Sequence, residues 1–168
     1  MLDISELDKA IDILSGAQRI DFTGMGASGI VACDAMTKFI RINTLCHYYP
    51  DSHLQLTSAA NLTKNDAAVG ISYSGATREV IDILKVAKER GASTISITKV
   101  GNSPLTEFAD VALFVSSQEA IFRMGAMASR IAQLNLIDIL FVNVAMKKYD
   151  KNMESLENTS GATSIRKV

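Results

Sequence analysis

The chain has 168 residues, 48% hydrophobic and 21% charged, enough for one globular domain with a sizeable core and unlike a disordered segment. A formal net charge of −1, with no basic run longer than Lys147-Lys148 or Arg166-Lys167, argues against this segment gripping a nucleic-acid backbone by itself. Its two cysteines, Cys33 and Cys46, fit neither a disulfide framework nor a zinc site and suit a reduced, cytoplasmic setting.

Ile4, Leu7, Ile11 and Leu14 share one stripe and predict a first amphipathic helix, with Gly16 as its stop. Met1 to Glu6 lacks the basic-then-apolar form of a signal peptide. Arg19 to Phe22 reads as a short strand, and Thr23-Gly24-Met25-Gly26-Ala27-Ser28-Gly29 as a glycine- and hydroxyl-bearing turn. A helix is expected from Ile30 to Ile40, then a strand from Leu45 to Tyr49 ended by Pro50-Asp51. Ser52 is expected to cap a helix running to Leu62.

Ala67 to Ile71 is a third strand. The turn after it, Ser72-Tyr73-Ser74-Gly75-Ala76-Thr77, packs three hydroxyls and a glycine before a helix from Arg78 to Arg90 closed by Gly91. Ser93 to Thr98 is a fourth strand, Asn102-Ser103-Pro104 opens a short helix to Ala109, and Val111 to Val115 is a fifth strand. A long helix follows from Met127 to Tyr149, then a polar, weakly patterned tail with a turn near Gly161, read as a C-terminal helix or a dimer arm. The longest apolar stretch, Ile131 to Met146, is a poor membrane span because Gln133, Asn135, Asp138 and Asn143 interrupt it.

Alternating strands and helices imply a single α/β domain over residues 1–168, a three-layer, doubly wound, five-stranded parallel sheet; such sheets most often take the flavodoxin-like order 2-1-3-4-5, a fold-level expectation. In that order the switch point lies between strands 1 and 3, where ligands bind beyond the carboxyl ends of the strands. The turns at Gly24–Gly29 and Ser72–Thr77 meet there. Each opens a helix, whose first turn has unpaired N–H groups and the positive end of a dipole, so an anion is favoured. Taken alone, a hydroxyl-rich turn is as readily an ordinary helix cap.

Gly24-x-Gly26-x-x-Gly29 also matches a dinucleotide pattern. No acidic residue ends the next strand before Asp51, and there is no Walker sequence, so a compact monophosphate suits the site better than a nucleotide.

These loops resemble those of the sugar isomerase (SIS) domain family, whose S-x-S-G-x-T hallmark stands here as Ser72-Tyr73-Ser74-Gly75-Ala76-Thr77. More narrowly the chain resembles the effector domain of RpiR-type transcriptional regulators. The stretches that carry this are Phe22 to Ser28, Asp34 to Arg41, Ser103-Pro104-Leu105 and Glu119 to Arg130. In such regulators a helix-turn-helix domain binds DNA and the SIS domain senses a phosphosugar. Only one short helix precedes the first strand, so the expectation is an isolated effector domain that meets DNA only through a helix-turn-helix absent from this chain.

The resemblance implies that Ser72, Ser74 and Thr77 hold a phosphate, with Tyr73, Gly75 and nearby N–H groups completing the loop. Ser28, with Gly26 allowing close approach, would meet the sugar or phosphate from the other side. Glu119 would act as a base in an isomerase or accept sugar hydroxyls in a sensor. No cofactor and no metal is expected. The leading reading is a non-catalytic sugar-phosphate sensor. The alternative is an aldose–ketose phosphate isomerase, with Glu119 or Glu79 as base and His53 as acid.

Other residues have plainer readings. His47 fits a packed strand, and His53 sits in a polar turn from which it could reach a ligand, even in a partner subunit. Glu79 suits the dipole of its helix, and Arg123 and Arg130 suit interface packing or ion pairs. The long helix is apolar nearly all round, which predicts a homodimer, one face on the sheet and another on a partner.

Overall fold

The computed structural model describes residues 3–42, 44–116 and 127–164. In chain order the elements are α1 (Ile4–Gly16), β1 (Arg19–Gly24), α2 (Gly26–Phe39), β2 (Leu45–His47), α3 (Ser52–Ala59), β3 (Ala67–Ile71) and α4 (Arg78–Glu89). Then come β4 (Ser93–Lys99), a 3-10 turn (Pro104–Phe108), β5 (Val111–Val115), α5 (Met127–Lys147) and α6 (Tyr149–Ser164).

All strand pairs are parallel, in the order β2-β1-β3-β4-β5 expected from the sequence. Because successive strand side chains alternate in direction, β3 serves both layers. Ala67, Val69 and Ile71 join the core formed with α1, α2 and α5, and Ala68 joins the core formed with α3, α4 and the 3-10 turn. Phe22, Phe39 and Phe141 tie β1, α2 and α5 together through ring contacts at 5.3 and 5.7 Å.

Several boundaries differ from the expectation. Gly16 does not stop α1, which runs through it to a cap at Ala17. Asp51, not Ser52, caps α3, accepting from the Leu54 N–H at 3.0 Å. The carboxylate one residue earlier has the extended backbone a cap needs. The chain breaks helix near Lys148 and resumes as α6, which runs through Gly161 rather than turning there. Buried Asn152 braces that corner by donating to the carbonyls of Val144 and Ala145.

The largest shift is at α2, which begins at Gly26 rather than Ile30. Met25 is its cap, and its carbonyl accepts from the N–H groups of Ser28 (3.1 Å) and Gly29 (3.2 Å). The expected turn is therefore one residue wide, and Ser28 lies in the first turn of a helix. Glycines permit this tight exit. A Cβ on Gly24 would lie 2.6 Å from the Ser28 carbonyl oxygen, and one on Gly29 2.7 Å from the Tyr48 hydroxyl.

Asp110, just before β5, clamps β4 by accepting from the Thr94 N–H (2.8 Å) and hydroxyl (2.9 Å), with Lys88 at 3.2 Å. Partial burial pushes its carboxyl up, but the Thr94 donors and Lys88 outweigh this and hold it below the usual range. A depressed folded value stabilises the fold above the unfolded carboxylate value of about 3.9 and loses that contribution as pH falls below it. Asp110→Asn is expected to lower stability at pH 7 by about 1 kcal/mol, a modest loss because the side chain is 44% exposed. Denaturant unfolding at pH 7 and pH 3 should show the difference from wild type narrowing in acid.

Candidate functional site

β1 and β3 end side by side, Gly24 paired with Ile71. The chain leaves β1 into α2 and leaves β3 through Ser72–Thr77 into α4 from neighbouring points on one sheet edge. This is the switch point of the topology, and it brings the two sequence-predicted segments together.

The Ser72–Thr77 turn is built from the strand outward. The Ser72 N–H donates to the Ile97 carbonyl, continuing the β3–β4 ladder past Ile71. The Tyr73 carbonyl then accepts from the Lys99 N–H (3.0 Å) and the Thr98 hydroxyl (3.3 Å). The Gly75 carbonyl accepts from the Leu105 N–H (3.0 Å) and the Ser103 hydroxyl (3.1 Å). Both carbonyls are thus tied to β4 and the 3-10 turn. Gly75 adopts φ +66°, and a Cβ there would stand 1.8 Å from Ser103 Oγ. No other residue type fits that position without moving Ser103.

The three hydroxyls gather on one another. Ser72 Oγ, buried, lies 2.8 Å from Thr77 Oγ1 and 3.4 Å from Ser74 Oγ, and Ser74 Oγ accepts from the Ala76 N–H at 3.3 Å. Thr77 is the cap residue of α4, yet its side chain makes no capping hydrogen bond. The ordinary-cap reading therefore fails here. Its hydroxyl turns to Ser72, and the first-turn N–H groups at Arg78, Glu79 and Val80 have no partner within the helix by helical geometry. Three hydroxyl donors at the positive end of a helix are an arrangement that accepts an anion.

Opposite, α2 also starts without a side-chain cap, and Gly26 is exposed with φ +55°. Ser28, half-buried, approaches the amide of Gln133 on α5, 3.4 Å to Nε2 and 3.5 Å to Oε1. Beneath the junction, buried Gln55 of α3 accepts from the Thr23 hydroxyl and donates to the carbonyls of Tyr49 (2.5 Å) and Gly24 (3.4 Å). It ties the ends of β1 and β2 together.

Ser103, Gln133 and Gln55 went unread as site residues. A glutamine breaking an apolar helix was the one available signal, at Gln133. Ser103 becomes relevant only once β4 stands beside β3. Glu119, Phe122, Arg123 and Gly125 lie outside the described residues.

The remaining candidates fall elsewhere. His47 is half-buried on β2, its ring 5.9 Å from that of Tyr49 and its Nδ1 3.4 Å from Asp21 Oδ1 without hydrogen-bond alignment. Asp21 is held instead by Nε and Nη2 of the Arg19 guanidinium, each donating at 2.8 Å. His53 is exposed in the first turn of α3, and Glu79 is exposed in the first turn of α4, where the dipole reading expects it. Burial and the nearby Asp21 charge push the Cys46 thiol up to about 11, so it stays protonated and unreactive. Among the described residues no cluster of three or more His, Cys, Asp or Glu forms a metal-binding group.

Cavities of about 200 and 300 Å³ lie at the opposite edge of the sheet, lined by Ala17 and Gln18 before β1 and, in the larger, by Asn65 and Asp66 before β3. Among the described residues these cavities lie at that edge, while the hydroxyls and helix starts converge at the other.

The SIS domain family model matches residues 13–143. The chain belongs to the SIS domain family. This SIS domain is 60% identical over its whole length to an uncharacterized HTH-type transcriptional regulator of Caldanaerobacter subterraneus subsp. tengcongensis. It is 37% identical over its whole length to the uncharacterized regulator YbbH of Bacillus subtilis. It spans 60% of the length of each of these relatives. Among solved structures it superposes on Vibrio vulnificus NanR, a protein complexed there with ManNAc-6P. That match has a TM-score of 0.89 and 28% identity, and covers 96% of this chain and 61% of that one. The sugar isomerase domain of an RpiR transcription factor from Sphaerobacter thermophilus shares the fold, with a TM-score of 0.84, 19% identity, and coverage of 95% of this chain and 87% of that one.

By length and composition α5 could cross a membrane. In this SIS domain it packs on α1, α2 and β5, buries Gln133, and carries an exposed Asp138 paired with Lys38 at 2.5 Å. It is a core helix of the fold.

Proposed function

We propose that this chain is the ligand-sensing part of an RpiR-type transcriptional regulator and that its ligand is a sugar phosphate. One observation carries the reading: the Ser72, Ser74 and Thr77 hydroxyls converge at the uncapped start of α4, on a loop whose carbonyls are tied away from it. The phosphate sits on that turn, with Tyr73 and Gly75 as part of its wall. Gly26 and Ser28 meet the ligand from α2, and Glu119 accepts sugar hydroxyls. NanR, whose structure holds ManNAc-6P, supports the choice of phosphosugar. The domain is non-catalytic, cytoplasmic and homodimeric, and reaches DNA through the helix-turn-helix of the full regulator. Ligand binding biases the dimer arrangement and so the pose of the DNA-binding domains.

A thermal-shift screen tests this reading. ManNAc-6P, glucose 6-phosphate, fructose 6-phosphate and arabinose 5-phosphate are compared with their unphosphorylated parents. A true ligand at about 100 times its dissociation constant adds about 2.7 kcal/mol of stability. Equal shifts for phosphorylated and plain sugars would exclude the phosphate loop as the site. Turnover of any of these compounds would move the assignment to an isomerase.

A further inference from the structure

The geometry points to Gln133 as a positioning residue that sets which way the Ser28 hydroxyl donates. The inference rests on the phosphosugar reading of the site. Gln133 is 1% exposed on the inner face of α5, one turn after buried Ser129 and before the apolar Leu136, Ile137 and Leu140. A buried primary amide is costly unless hydrogen-bonded. Among the described residues its only partner is Ser28 Oγ, at nearly equal distances from Nε2 and Oε1. The amide is thus aimed at Ser28 in the first turn of α2.

A serine hydroxyl has one proton. If that proton goes to Gln133 Oε1, the lone pairs of Ser28 face the site and repel an anion. If Gln133 Nε2 donates to Ser28 Oγ instead, the proton is available to a phosphate or sugar oxygen. Glutamine permits both states because it carries a donor and an acceptor on one planar group. The anion selects the second state. A glutamate there could only accept, would hold the proton inward, and would add like charge to a buried site.

The test is a titration of the purified chain with the phosphosugar giving the largest shift in the panel above, with inorganic phosphate alongside. Gln133→Leu is expected to weaken phosphosugar binding about fivefold, the value of one neutral hydrogen bond. Ser28→Ala should do about the same. In the Ser28→Ala background, Gln133→Leu should add less than about twofold, since the two act as one unit. Gln133→Glu should weaken binding more than Gln133→Leu does. Gln133→Met, close in shape, gives the same cycle if the leucine variant folds poorly, with circular dichroism as the check.

Equal losses from Gln133→Leu with and without Ser28 would mean a merely structural role and overturn the inference. So would wild-type affinity in Gln133→Leu. Either result leaves the phosphosugar reading intact. Failure of the wild-type chain to bind any phosphorylated probe overturns both.

Discussion

Gly75→Ala is expected to destabilise the chain by about 3 kcal/mol and to lower its melting temperature by roughly 10 °C. Two costs add. The left-handed conformation at φ +66° is worth about 1–2 kcal/mol against any residue with a Cβ. The new methyl would also sit 1.8 Å from Ser103 Oγ and 2.6 Å from Thr98 Oγ1, two groups that hold the turn by donating to the Gly75 and Tyr73 carbonyls. Once Ser103 is displaced, the hydroxyl cluster loses its frame, and sugar-phosphate stabilisation should disappear. Gly26→Ala is the control. Gly26 has a similar φ of +55° with nothing within 4 Å of the added methyl, so only the backbone cost of about 1–2 kcal/mol remains. Thermal melts of the two variants should therefore differ clearly. Equal melting temperatures would refute the packing explanation.

Ile131→Glu is expected to leave the fold intact and to abolish self-association. Ile131 is 65% exposed, and Met127, Val142 and Met146 continue an apolar stripe along α5. Beside it Phe114, Ala132 and Ile139 line a groove of about 180 Å³ against the edge strand β5. Burying one isoleucine is worth about 2–3 kcal/mol, and a two-fold interface uses it twice. Glutamate should weaken a dimer by roughly three orders of magnitude. Sedimentation velocity at micromolar concentration reads this directly. A monomeric wild-type chain, or an unchanged dimer in the variant, would reject the interface.

Much of this fold was legible because the strands carry their own boundaries. β3 and β5 run over the residues expected, each an apolar run closed by turn residues. Alternation of elements implied the parallel sheet, while the strand order came from the commonest arrangement of such folds and placed the two loops at one crevice. The start of α2 was missed because Gly26, Ala27, Ser28 and Gly29 look like a turn. Their helix depends on the Met25 carbonyl and on how closely α2 approaches β1, which is a tertiary matter. α6 was half legible, one of the two readings of the tail being a C-terminal helix. Its sequence has little apolar pattern, and packing at Asn152 helps hold its start. Ser103 and Gln55 act across 28 and 31 or more residues of chain, a distance at which local pattern says nothing.

The tied carbonyls of Tyr73 and Gly75 have a kinetic and thermodynamic consequence. Four hydrogen bonds hold the turn in one shape, and none of them uses the Ser72, Ser74 or Thr77 hydroxyls to which the proposed function assigns the phosphate. Under the proposed function, a turn held this way makes nearly every molecule competent to bind, and the apparent affinity is expected to stay close to the intrinsic one. Capture needs no slow rearrangement of this turn, and occupancy can follow a changing metabolite level as fast as the ligand dissociates. On the proposed reading, the response threshold would then be set by the contacts at the rim of the crevice, with the turn itself unaltered.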